Sequence, residues 1–121
     1  MSEKHKGKKS SEINIVLCRA TDQDPRYTEA STLALPDGRL LLAYTHFYAG
    51  VGADEGPARI DGRWSEDEGT TWGEPFVLQE NIGKLNCMSA SLLQLPDGPP
   101  SPRRIPERPV PSPVTIAVAP N

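Results

Sequence analysis

The chain has 121 residues, 36% of them apolar, 24% charged and 6% aromatic, which suits one ordinary domain or a piece of one. Its longest unbroken apolar run, Leu40-Leu41-Leu42-Ala43-Tyr44, falls far short of the roughly 20 residues that carry a helix across a bilayer. The net charge of −3 divides into +3 over residues 1–19, −8 over 20–98 and +2 over 99–121, and so acidic a middle argues against a nucleic-acid partner, whose phosphates need Lys and Arg on the contacting face. In chain order, residues 1–12, MSEKHKGKKSSE, are too polar to repay the entropy of ordering and read as a flexible basic arm. No apolar signal core follows them, so the default compartment is the cytoplasm, with secretion expected if a leader precedes this start. Residues 13–98 form the candidate folded body. Cys18 and Cys87 make neither a CxxC pair nor a zinc spacing with His5 and His46, so they read as small buried residues, and neither metal nor cofactor is expected.

The body contains an internal repeat. Ala30-Ser31-Thr32-Leu33-Ala34-Leu35-Pro36-Asp37-Gly38 recurs as Ala90-Ser91-Leu92-Leu93-Gln94-Leu95-Pro96-Asp97-Gly98, at an offset of 60. Each copy reads as a short strand running into a tight turn, with Pro presetting φ and Gly accepting a positive φ. After the first turn, Arg39 to Phe47 is nearly all apolar, as a strand covered on both faces would be. Tyr48 to Pro57, with three glycines and Asp54-Glu55, is a loop. Ala58 to Ser65 then alternates as a third strand, Glu66 to Gly73 is a polar turn, and Pro75 to Leu78 supplies a short fourth strand before the second copy begins. Four antiparallel strands followed by a restart are expected of a propeller blade. Beyond Gly98 lie eight prolines in 23 residues, so 99–121 is expected to be a disordered or frame-shifted tail that interrupts the second copy where its second strand is due. Within it, Arg103, Pro106 and Pro109 fit a basic PxxP pattern, which proline-rich chain produces readily.

Between the third and fourth strands, Ser65, Asp67, Gly69, Thr71 and Trp72 reproduce the Asp-box pattern S-x-D-x-G-x-T-W. Its chemistry reads as structural: Asp67 accepts from turn amides, Gly69 permits the left-handed bend and Trp72 wedges against the sheet. With the repeat and the LPDG turns, residues 26–98 resemble the N-terminal blade of the sialidase-like (neuraminidase) BNR/Asp-box family. The resemblance implies an all-β chain that is a fragment of a six-bladed β-propeller, one four-stranded blade plus the first strand of the next. It also implies hydrolysis of terminal sialic acid from glycoconjugates, with a sialylated glycan as partner, by a tyrosine–glutamate nucleophile, an aspartate acid/base and an arginine triad. The family's acid/base lies eleven residues before the Asp-box serine, which assigns it to Asp54; as a residue alone, Asp54 reads equally as a solvated loop carboxylate. The family's first arginine falls by count on Thr28, so Arg26 takes that role only across a local bulge. His46, at the end of the second strand, is a candidate for the same cleft or a packed histidine, and Glu29 lies on the cleft side with no role implied. No residues match the nucleophile pair or the other two arginines, so a truncated, exo-alpha-sialidase-like chain inactive by itself is expected. The alternative is a non-catalytic Asp-box module that binds glycan or protein.

Overall fold

The computed structural model describes residues 14–94 and 114–121. Among these the protein is all-β: a four-stranded antiparallel sheet of β1 (Arg26–Ala34), β2 (Leu40–Phe47), β3 (Ala58–Ser65) and β4 (Phe76–Gln79) in the order β1-β2-β3-β4, and a two-stranded antiparallel sheet of β5 (Cys87–Gln94) and β6 (Val114–Pro120). No helix among the described residues is long and apolar enough to cross a membrane. The Pro36-Asp37-Gly38 turn behaves as its residues require. Gly38 adopts φ 93, its amide donates to the Leu35 carbonyl at 3.0 Å and the Leu35 amide to the Arg39 carbonyl at 2.9 Å, while the Asp37 carboxylate receives the Arg39 amide at 3.0 Å.

The repeat is reproduced in three dimensions, including its irregularity. β1 slips register against β2 between Thr28 and Ser31, and β5 slips against β6 between Met88 and Ser91, sixty residues on. The residue inside each bulge has a positive φ, 55 at Glu29 and 59 at Ser89, an uncommon conformation for side chains of this size. These two residues meet, the Ser89 hydroxyl donating to the Glu29 carboxylate. The sheets are stitched further by the Ser89 amide donating to Thr45 Oγ1 at 3.1 Å and the Leu92 amide to Ser31 Oγ at 3.3 Å.

Two expectations are corrected. Val114–Pro120 is not irregular tail but β6, and the second copy therefore includes its second strand as well as its first, in the register that β2 takes on β1. The physical reason lies in where the prolines stand: seven of the eight fall between 99 and 113, leaving Val-Thr-Ile-Ala-Val-Ala free to donate to a ladder and rich in β-branched residues. The 1–12 arm, the Pro96-Asp97-Gly98 turn and the Arg103–Pro109 motif lie outside the described residues.

The core sits between the sheets. Ala43, Ile60, Cys87 and Ala90 are buried together with Leu78, Leu92, Ile116 and Val118 packed against them, and Phe47, Ala58 and Met88 form a second cluster toward one end. Ala43, Thr45 and Phe47 alternate along β2 toward this core, which puts Tyr44 and His46 on the opposite face. That face is covered too, by Leu17, Cys18 and Asp24 ahead of β1. β2 is consequently buried on both sides from Ala43 to Phe47.

Candidate functional site

The ladder fixes which loops share an end. Phe47 pairs with Arg26 and with Ala58, whereas Leu40 pairs with Ala34 and Ser65. The 48–57 loop therefore rises from the end where β1 begins, and the Asp-box turn from the other, seven residues or about 23 Å away along the strand. At the first end Arg26 Nη1 donates to Asp54 Oδ1 at 2.6 Å and to the Gly52 carbonyl at 3.2 Å, with its guanidinium 4.8 Å from the centroid of the Phe47 ring. The structure thus brings Arg26 and Asp54 together, and a bulge interrupts β1 between Thr28 and Ser31. The Asp54 side chain is 80% exposed and that of Arg26 34%, so the pair is worth at most about 1 kcal/mol. An incoming carboxylate can compete for Arg26 at little cost, and Asp54 stays accessible to solvent.

His46 does not join them. It occupies the other face of the sheet, where Tyr27 stacks on it at 4.7 Å, and both ring nitrogens are engaged, Nε2 with Asp24 Oδ1 and Nδ1 with Asp61 Oδ2, each at 2.7 Å. Arg59 Nε donates to the other Asp61 oxygen at 2.9 Å. Of the two readings open for His46, cleft residue or packed histidine, its surroundings are those of the second: strand alternation turns it away from Asp54, and Asp24 and Asp61 occupy both ring nitrogens. Among the described residues no group of three or more His, Cys, Asp and Glu is placed to hold a metal ion.

Sequence reasoning missed Asn86, which holds the Asp54 loop in place. Fully buried, its amide donates to the Asp54 carbonyl at 2.6 Å and the Gly56 carbonyl at 3.0 Å. Its own side-chain oxygen receives Asn121 Nδ2 at 3.0 Å, and its backbone pairs with Asn121 in both directions. The available signal was the repeat itself, since Asn86 stands sixty residues after Arg26. Close packing holds the loop as well: the Gly56 amide closes a turn on the Ala53 carbonyl at 2.8 Å, and a Cβ at Gly56 would come within 2.5 Å of the Val51 carbonyl oxygen. Gly56→Ala is expected to shift the loop and cost about 1–3 kcal/mol, measurable as a lower denaturation midpoint with an unchanged m-value.

At the far end every fixed Asp-box position serves the turn. Asp67 Oδ1 receives the Ser65 hydroxyl at 2.9 Å and the Thr71 amide at 2.8 Å, and Oδ2 receives the Thr71 hydroxyl. Ser65 Oγ receives the Gly69 amide at 2.8 Å, Gly69 adopts φ 87, and Trp72 Nε1 donates to the Gly69 carbonyl at 3.0 Å. The hydrogen bonds from Thr71, first its hydroxyl and then its amide, hold the Asp67 carboxyl below its ordinary 3.8. A lowered folded-state value means that Asp67 contributes stability above about pH 3.8 that is lost as pH falls through the lower value. Asp67→Asn is therefore expected to flatten that part of the acid-unfolding curve; an acid limb identical to that of the parent chain would exclude it.

Comparisons with protein-family models, with curated proteins and with solved structures returned no match to this chain.

Proposed function

We propose that the two sheets are one blade and the first two strands of the next in a sialidase-like Asp-box propeller, and that Arg26 and Asp54 are this chain's share of a site for terminal sialosides. The observation that carries the reading is the 2.6 Å Arg26–Asp54 pair at the loop end of the sheet, opposite the Asp-box turn. An arginine fork is suited to the carboxylate of a sialic acid, since planar guanidinium and carboxylate match in geometry as well as charge. Transfer of Arg26 from Asp54 to that ligand would free the carboxylate to take up a proton from solvent, donate it to the departing glycosidic oxygen, and afterwards take one from the water that completes hydrolysis. The tyrosine–glutamate nucleophile and two further arginines of such a mechanism match no position here. Binding is thus expected from the chain alone, and cleavage only with further blades supplied.

Titration of the chain with sialic acid, followed by amide NMR, tests this. Saturable shifts at Gly52 to Gly56 that vanish in Arg26→Ala are expected. Equal shifts on titration with neutral galactose, or none with sialic acid, would overturn the reading. Release of an aryl aglycone from an aryl sialoside is expected to stay at the buffer rate with this chain.

A further inference from the structure

The ladder between β5 and β6 fixes which backbone groups of β6 point away from its partner. Asn86 and Asn121 exchange two bonds, the Asn86 amide donating to the Asn121 carbonyl at 3.1 Å and the Asn121 amide to the Asn86 carbonyl at 2.9 Å. Hydrogen-bonded and non-hydrogen-bonded pairs alternate along an antiparallel ladder, so Pro120, Val118, Ile116 and Val114 turn their backbone groups outward. Leu92, opposite Ile116, accordingly turns its amide from β6 to Ser31 Oγ at 3.3 Å. Pro120, which has no N–H, stands at one of the outward positions, as a proline in an edge strand does. Among the described residues no strand pairs with this outer edge, because the sheet order ends at β6. In the first copy of the repeat the matching edge of β2 is filled by β3 over its whole length, Leu40 to Phe47. The remaining edges are blunted. β4 is four residues long, β1 and β5 are each interrupted by a bulge, and the Ser89 and Leu92 amides of β5 are bound to Thr45 and Ser31. β6 is seven residues long, carries no charge and is β-branched at Val114, Thr115, Ile116 and Val118. Such an edge is a template for another strand.

We propose that β6 pairs antiparallel with β6 of a second copy of this chain, about a two-fold axis at Ala117, to make a four-stranded sheet in the order β5-β6-β6-β5. Full overlap of the two strands sets Ala117 opposite Ala117, Ile116 opposite Val118 and Val114 opposite Pro120. The backbone fits that register, since the outward groups of Ile116 then meet those of Val118, with about six hydrogen bonds in all. The side chains fit it as well. Ile116 and Val118, half-buried against the core, gain each other across the axis, and the uncharged strand brings no like charges together. The second β6 takes the place and direction on β6 that β3 has on β2. Because both copies use the same edge and the other edges are blunted, association closes at two. The inference rests on the ladder and the repeat and is independent of the sialoside reading.

Sedimentation of the chain over a range of concentrations is expected to show the mass rising from that of one copy to a plateau at that of two. Ala117 is exposed, on the face of β6 opposite the core-packed Ile116 and Val118, so its variants are expected to keep the parent far-ultraviolet circular dichroism. Ala117→Glu sets two carboxylates opposite each other and is expected to weaken the dimer at least about tenfold. Ala117→Lys is expected to do the same, and an equimolar mixture of the two variants to recover the dimer, which a general loss of stability would not allow. In a Cys18→Ser background, Ala117→Cys is expected to cross-link on oxidation, because the opposed Cα atoms lie about 4.5 Å apart. Thr115→Cys, whose two copies stand about four residues out of register, is expected to stay uncross-linked. A monomer at every concentration, a mass that climbs without a plateau, a dimer untouched by Ala117→Glu, no recovery in the mixture, or equal cross-linking from positions 115 and 117 would each overturn the proposal.

Discussion

Replacing Phe47 with alanine is expected to destabilise the protein by about 3–5 kcal/mol, a large part of the ~5–15 kcal/mol that holds a typical domain together. Phe47 is fully buried and packs with Ala58 and Met88 at the end of the core nearest the Asp54 loop. Its neighbours there include an alanine and a residue of the other sheet, so truncation leaves a cavity that backbone pairing on both sides of β2 prevents from closing. The ring also carries the Arg26 guanidinium, which links the stability of the core to the geometry of the site. Phe47→Leu separates the two roles. It nearly conserves volume, with an expected cost below about 1.5 kcal/mol, but removes the aromatic surface under Arg26. Chemical denaturation should therefore rank alanine far below leucine. The sialic acid binding proposed for Arg26 should weaken in the leucine variant although its stability is nearly kept. An alanine variant within about 1 kcal/mol of the parent chain would contradict this account of the core.

The sequence disclosed some elements well because their local signals agreed with their surroundings. β3 has the bounds Ala58–Ser65 that its alternation predicted, and β2 begins at Leu40, one residue after the Arg39 that opened its expected stretch. The Asp-box turn folds from contacts within eight residues, so nothing distant could mislead the reading. β1 was harder. It starts at Arg26, four residues before the repeat motif, and the bulge at Glu29 breaks the alternation that would have revealed it. β6 was hidden by composition, since prolines ahead of Val114 dominated any window that included it. Asp61 lies on the face of β3 that carries Arg59 and Arg63, yet it is buried, because it is covered by His46, itself bonded to Asp24 from ahead of β1. Of the site, Arg26 and Asp54 were each legible as candidates at the same end of the sheet, but not their pairing, while Asn86 acts through contacts thirty residues away that no local pattern encodes.

The repeat explains why Asn86 matters. Equivalent strands β1 and β5 lie side by side with their bulges in contact, so residues at equivalent positions reach the same end of the molecule, and Arg26 and Asn86 approach the 48–57 loop from two sides. Arg26 takes its exposed tip at Gly52 and Asp54; Asn86 takes its buried base at the Asp54 and Gly56 carbonyls. The Asn86–Gly56 bond is buried whereas the Arg26–Asp54 bond is exposed, and buried hydrogen-bond partners are the costly ones to lose.

Asn86→Ala is accordingly expected to cost about 2–4 kcal/mol, because two carbonyls and the Asn121 amide lose a partner at ~1–3 kcal/mol each and water entering the vacated space recovers part of the loss. Asn86→Asp should be at least as damaging despite its similar shape, since it presents a carboxylate oxygen to the carbonyls of Asp54 and Gly56. The same joint can be disturbed from its other side. A Cβ at Gly83 would fall 2.1 Å from the Asn86 carbonyl oxygen and 2.4 Å from that of Asn121, so Gly83→Ala should push apart the backbone pair that joins the end of β6 to the start of β5. Amide hydrogen exchange distinguishes this from a general loss of stability. The Gly56 amide, bonded to the Ala53 carbonyl, is expected to exchange faster in both alanine variants by more than the global change accounts for. The Gly69 amide, bonded within the Asp-box turn, should follow the global change alone. Equal acceleration at the two glycines would mean that Asn86 supports the fold at large, and that the Asp54 loop is held by something other than its clasp.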